Sequence, residues 1–161
     1  MSKLVSPLNF KAWIEENRHL LKPPVGNKAI YNDDYIVMVV GGPNSRKDYH
    51  LNQTPEFFYQ VEGDMVLKII DDKGKQIDVE INEGDIYLLP AKVPHSPQRK
   101  ANTVGLVIEY PRSEHMMDAL EWYCENCGSP LYREEFKLAN IEKDMPVNSS
   151  KLEKEDHLML Q

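Results

Sequence analysis

The sequence predicts an all-β fold, a sandwich or barrel of short strands flanked by a helix at each end. Two observations carry this. From Ala29 to Tyr110, short runs rich in β-branched and aromatic residues recur at close, regular spacing. Clusters of Gly, Pro, Asn and Asp punctuate them, as hairpin turns require.

The elements follow in order. Asn9 to Leu21 carries Phe10, Trp13 and Ile14 at helical offsets with a polar opposite face, so it reads as an amphipathic helix, and Pro23-Pro24 ends it. Strands are expected at Tyr35 to Val40, Phe57 to Val61, Met65 to Ile70, Gln76 to Ile81, Asp85 to Leu89 and Thr103 to Tyr110. The turns between them include Gly41-Gly42-Pro43-Asn44, Asp71-Asp72-Lys73-Gly74, Asn82-Glu83-Gly84 and Pro90-Ala91-Lys92-Val93-Pro94. Pro111 breaks the last strand. Ser113 then offers an N-cap for a second helix with Met116, Met117, Leu120 and Cys124 on one side. From Asn148 the chain is mostly Lys, Glu, Asp and Ser before Leu158-Met159-Leu160, and it reads as a weakly ordered tail.

At 161 residues the simplest organisation is one domain over 1–161, with a barrel core at about 28–112 and a C-terminal extension at 113–161. A formal charge of −7 argues against a nucleic-acid surface, since phosphate binding requires a basic face. An anionic small molecule would then depend on locally placed cations. No apolar run approaches the roughly 18 residues of a membrane helix, and Met1 to Pro7 has no signal-peptide core, so a cytoplasmic protein without a membrane partner is expected. The two cysteines, Cys124 and Cys127, form one C-x-x-C and do not suggest a disulfide framework.

Two segments carry chemistry. One runs from His50 through Glu56 to Gly63, and the other from Gly84 through Pro90 to His95. Two imidazoles and one carboxylate can occupy one face of an octahedral ion and leave the other face open, as in non-haem iron oxygenases. The same set also serves catalytic zinc.

These spacings resemble the two motifs of the cupin superfamily, small double-sheet jelly-roll barrels. The first motif is kept at Gly41-Gly42, His50, Glu56 and Gly63, with Asn52 where a second His usually stands. The second is kept at Gly84, Pro90 and His95, with Lys92 in place of an inner glycine. A three-ligand site is therefore favoured over a four-ligand one. Within the superfamily, the chain resembles the 3-hydroxyanthranilate 3,4-dioxygenase family from the N-terminal helix to about Pro146. The stretches that carry this are Arg46 to His50, Phe57 to Gln60, Glu62 to Met65, Pro94 to Arg99 and Cys124 to Cys127.

The resemblance implies a cytoplasmic, homodimeric enzyme with Fe2+ on His50, Glu56 and His95. It would cleave 3-hydroxyanthranilate with O2 to 2-amino-3-carboxymuconate semialdehyde, the precursor of quinolinate on the route from tryptophan to NAD. Arg46 and Arg99, four residues from His50 and His95 respectively, would bind the substrate carboxylate through planar guanidinium forks. Glu109 stands in an otherwise apolar strand, either at an exposed end or turned into the barrel where burial would raise its pKa. The family's pattern makes it the base for the 3-hydroxyl. Asn27, Phe58 and Pro97 match pocket residues. Cys124 and Cys127 supply half of a tetrahedral thiolate site, and the chain has no other cysteine to complete it. Two rival readings keep the fold: another metal-dependent cupin enzyme, such as an isomerase or a different dioxygenase, or a non-catalytic cupin that binds a small acid.

Overall fold

In the computed structural model, residues 6–23 and 26–138 are described. The expected tail beyond Asn148 lies outside them. The first helix, α1 (Phe10–Asn17), is capped by Asn9, whose side chain accepts from the Ala12 amide at 3.0 Å. A short 3-10 turn, Arg18–Leu20, ends it.

Eleven strands follow among the described residues: β1 (Asn27–Asn32), β2 (Ile36–Gly41), β3 (Tyr49–Leu51), β4 (Glu56–Glu62), β5 (Met65–Ile70), β6 (Gln76–Ile81), β7 (Ile86–Leu89), β8 (His95–Arg99), β9 (Val104–Glu109), β10 (Asp118–Tyr123) and β11 (Pro130–Phe136). They form two antiparallel sheets, β1-β2-β9-β4-β7 and β11-β10-β3-β8-β5-β6. Strands close in sequence alternate between the sheets, which is the interleaving of a jelly roll. The expected double-sheet barrel is the fold observed.

The main core lies between the sheets, where Ile36, Met38, Phe58, Met65, Leu67, Ile81, Leu89 and Val107 pack together. α1 covers the outer face of the five-stranded sheet, with Ile14 and Leu21 against Val39 and Val104. Arg18 ties this helix to β4 by two bonds to the Glu62 carboxylate, at 2.9 and 3.0 Å. Gly41 is required at the join, because a Cβ there would lie 1.9 Å from the Leu21 carbonyl oxygen. Lys92, which replaces the glycine of the second motif, has φ 64. The left-handed conformation explains why that position usually holds glycine.

The expected helix from Ser113 is not formed. Asp118–Tyr123 is instead a strand, paired on one side with β3 and on the other with β11. Without β10, the short strand β3 would be a sheet edge with unpaired backbone groups. Pairing with it recruits a segment whose 118/120/122 alternation competes with a helical reading. Residues 118–136 thus extend the barrel's second sheet rather than forming a helical appendage. His19 and His115 are exposed and stand apart from the buried histidines.

Candidate metal centre

His50 and His95 are direct cross-strand partners on β3 and β8. Glu56 opens β4 in the facing sheet. The jelly roll thus folds residues from both sheets onto one interior spot. Their ligand atoms all lie within 4.8 Å of one another, and all three residues are buried. Glu56 Oε1 is 3.3 Å from His95 Nε2 and 3.8 Å from His50 Nδ1.

Each imidazole is held from behind. His50 Nε2 is 2.7 Å from Asp118 Oδ2, and His95 Nδ1 is 3.0 Å from the Val93 carbonyl. With its outer nitrogen bonded to an oxygen acceptor, each ring carries its proton on that side and presents a lone pair on the other. The presented atoms are the ones that converge on Glu56.

The carboxylates continue inward. Asn52, at the place of the missing second His, donates from Nδ2 to Glu56 Oε1 at 2.9 Å and to Glu109 Oε2 at 2.6 Å. Arg112 bonds Glu109 Oε2 at 2.7 Å and Asp118 Oδ2 at 2.7 Å. Glu56, Glu109 and Asp118 are buried carboxylates, and in this network only Arg112 balances them. The excess of negative charge beside two imidazole lone pairs suits a divalent cation.

Electrostatics follow the same geometry. Burial lowers the pKa of His50 despite its Asp118 partner. Burial also opposes a charge on His95, but the Glu56 carboxylate outweighs it and raises that group. Burial would raise Glu56, yet the two imidazoles hold it well below the usual carboxylate range. Burial, with the Glu56 charge nearby, pushes Glu109 up to about 8 even though Arg112 opposes the shift. Glu109 is turned into the barrel, which settles the alternative left open by the sequence.

The arginines differ. Arg46 is partly exposed and paired with Asp48, so its charge is already met within the protein. Arg99 is 3% exposed, and its Nη1 donates to the neutral Gln60 Oε1 at 3.0 Å. Burial lowers its pKa to about 10, which leaves it charged at neutral pH. Gly105 makes the space for it, since a Cβ there would meet Arg99 Nη1 at 2.5 Å.

Among the described residues, three buried side-chain atoms have no hydrogen-bond partner: Asn27 Oδ1, Arg99 Nε and Glu109 Oε1. Native folds pair such atoms, and exceptions call for a reason. Phe58 is a core residue edge-on to His95, with ring centroids 6.3 Å apart, and Pro97 lies on β8 opposite Leu67.

The cysteine pair joins no group of metal-ligating residues among those described. Cys124 and Cys127 are free thiols on the β10–β11 turn. Sequence reasoning missed Asp118 and Arg112. The alternation Asp118, Leu120, Trp122 was the signal for the first, while Arg112 follows Pro111 with no local mark.

A family profile described as 3-hydroxyanthranilic acid dioxygenase matches residues 1–152. The chain is 57% identical over 143 residues to the 3-hydroxyanthranilate 3,4-dioxygenase of Xanthomonas campestris pv. campestris strain B100, covering 89% of this chain and 81% of that protein. To the enzyme of the same name from Yarrowia lipolytica it is 54% identical over 140 residues, covering 86% and 81%. A solved protein from Neisseria meningitidis, 20% identical, superposes with a TM-score of 0.50 over 66% of this chain and 100% of its own, and shares the fold. No helix among the described residues is long and apolar enough to cross a membrane.

Proposed function

This chain belongs to the 3-hydroxyanthranilic acid dioxygenase family, and from that premise we propose that it holds iron(II) on His50, Glu56 and His95 and opens the ring of 3-hydroxyanthranilate with O2. The observation that supports substrate-binding roles for Asn27, Arg99 and Glu109 is that each keeps a buried polar atom without a hydrogen-bond partner. Two acceptors and a cationic donor match a substrate with hydroxyl, amino and carboxylate groups on one ring.

In this reading Arg99 carries the charge that meets the substrate carboxylate, because among the described residues no carboxylate is bonded to its guanidinium. Arg46, already balanced by Asp48, contributes remaining donors rather than net charge. Glu109 Oε2 is occupied by Asn52 and Arg112, so Oε1 accepts the proton of the 3-hydroxyl. Burial and the Glu56 charge raise the proton affinity of this carboxylate, which makes its ionised form a stronger base than an ordinary glutamate. Asn27 Oδ1 receives a substrate N–H or O–H, and Phe58 and Pro97 flank the ring. Iron(II) held by His50, Glu56 and His95 would supply Lewis acidity and redox chemistry toward the ring and dioxygen. Both oxygen atoms of O2 remain in the product, 2-amino-3-carboxymuconate semialdehyde, which cyclises to quinolinate for NAD synthesis.

The test is direct. Iron-reconstituted protein mixed anaerobically with 3-hydroxyanthranilate and then exposed to air should consume one O2 per substrate as the product's absorption band appears. Absence of oxygen uptake would remove the reading.

We also propose a cytoplasmic homodimer. Free thiols accord with a reducing compartment. The outer face of β4, β7 and β9 presents Ile86 at 67% exposure and Leu88 at 64%. Leu88 is paired across the strands with Phe57, which is paired in turn with Ile108. β7 is a sheet edge, and an apolar face ending in an open edge suits a second copy packing symmetrically. Ile86→Glu with Leu88→Glu is expected to halve the mass seen by light scattering while leaving bound iron unchanged. An unchanged mass would place the interface elsewhere.

A further inference from the structure

We infer that Arg112 is a positioning residue, a clamp that joins the orienting carboxylate of His50 to the base Glu109 and so sets a metal ligand and the free oxygen of the base together. The inference rests on the roles proposed above for His50 and Glu109.

The geometry is specific. Glu109 is the last residue of β9 in one sheet, and Asp118 is the first of β10 in the other. Arg112 lies in the crossing between them, with a side chain only 2% exposed. Its Nε donates to Asp118 Oδ1 at 2.9 Å, its Nη2 to Asp118 Oδ2 at 2.7 Å, and its Nη1 to Glu109 Oε2 at 2.7 Å and to the Tyr110 carbonyl at 2.9 Å. A planar fork with fixed donor directions can hold two carboxylates at a set angle, which a single ammonium cannot.

Each arm has its own consequence. Asp118 bonds His50 Nε2 at 2.7 Å, so fixing Asp118 fixes that ring's proton and the direction of Nδ1. Arg112 and Asn52 both occupy Glu109 Oε2, so the other oxygen, Oε1, is the one left without a partner. Asn52 Nδ2 also reaches Glu56. The hydrogen bonds therefore run from His50 through Asp118, Arg112, Glu109 and Asn52 to Glu56. His50 is tied to the base through this guanidinium, and Glu56 through Asn52. None of Arg112's bonds points to an unpartnered pocket atom, so it orients groups without itself touching substrate.

A cavity of about 200 Å³ adjoins Arg112, lined also by Asn32, Ile36, Pro111, Ser113 and Lys137. Ser113 and Lys137 at its lining are exposed, which makes added methylguanidinium a suitable probe of the space that Arg112→Ala would leave.

The experiment compares Arg112→Ala and Arg112→Lys with the parent. Three readouts are taken: anaerobic cobalt(II) titration of the metal-free protein, kcat and KM for 3-hydroxyanthranilate on the iron form, and the effect of added methylguanidinium. Arg112→Ala should bind cobalt about 10- to 100-fold more weakly, the usual cost of losing a partner behind a metal ligand. Its kcat should fall at least tenfold while KM stays within about threefold, and methylguanidinium should restore part of both losses. Arg112→Lys keeps the charge and most of the volume, so it guards against misfolding, and it should keep at most one of the two arms. Unchanged cobalt affinity, unchanged kcat, or a loss confined to KM in the folded variants would overturn the clamp. If the parent itself fails to turn over 3-hydroxyanthranilate, the proposed reaction fails, while the cobalt arm still decides whether Arg112 orients His50.

Discussion

His50→Ala, Glu56→Ala and His95→Ala are each expected to lose most bound iron and to bring ring cleavage down to background. Each removes one of three converging donors from a site with no other His, Cys, Asp or Glu cluster among the described residues. An open three-residue face cannot give up a ligand and still hold a labile divalent ion firmly. Glu56→Gln should behave almost as badly, although it keeps the size of the side chain, because it cancels the one charge that faces both imidazoles. Circular dichroism should stay that of a β-barrel, since backbone ladders and the core around Phe58, Leu67 and Leu89 hold the sheets together. Metal analysis of the triple variant is the decisive measurement. Stoichiometric iron with retained turnover would sink the assignment.

Arg99→Ala should separate two substrates. Truncating one partner of a buried, hydrogen-bonded charge pair costs on the order of 2–5 kcal/mol, or about 30- to 4,000-fold in affinity at about 1.4 kcal/mol per decade. Binding of 3-hydroxyanthranilate should weaken by that factor, whereas 2-aminophenol, which lacks the carboxylate, should lose far less. Arg46→Ala should discriminate more weakly, because Asp48 already balances that guanidinium. The free enzyme offers a further sign. Arg99 is a buried cation bonded to no carboxylate among the described residues, so its loss should leave the melting temperature unchanged or raise it. Equal losses for both compounds would count against a carboxylate clamp.

Legibility in the sequence followed local chemistry. β5 and β6 were read with the bounds they have, and β2, β4, β7 and β9 to within a residue at either end, because each alternates or runs apolar between clear turns. β3 and β8 were missed. They carry Tyr49-His50-Leu51 and His95-Ser96-Pro97-Gln98-Arg99, and polar side chains that face a site erase the apolar period that marks a strand. β10 was misread as a helix, and the misreading hid Asp118. The convergence of His50, Glu56 and His95 was legible because both motifs are framed by turn glycines, and Gly63 and Gly84 do take positive φ.

By itself, then, the sequence determined the barrel class, the helix that caps it and the set of ligand-type residues brought together, since period, turn residues and donor chemistry are properties of short segments. Only the tertiary structure decided that Asp118 stands behind His50 across 68 positions of chain, that Arg112 spans the ends of two strands in different sheets, and that Arg46 is balanced while Arg99 is not. Those facts depend on which distant groups share a low-dielectric interior. Burial makes each missing or present partner there count for several kilocalories, and no local pattern encodes who the partner is.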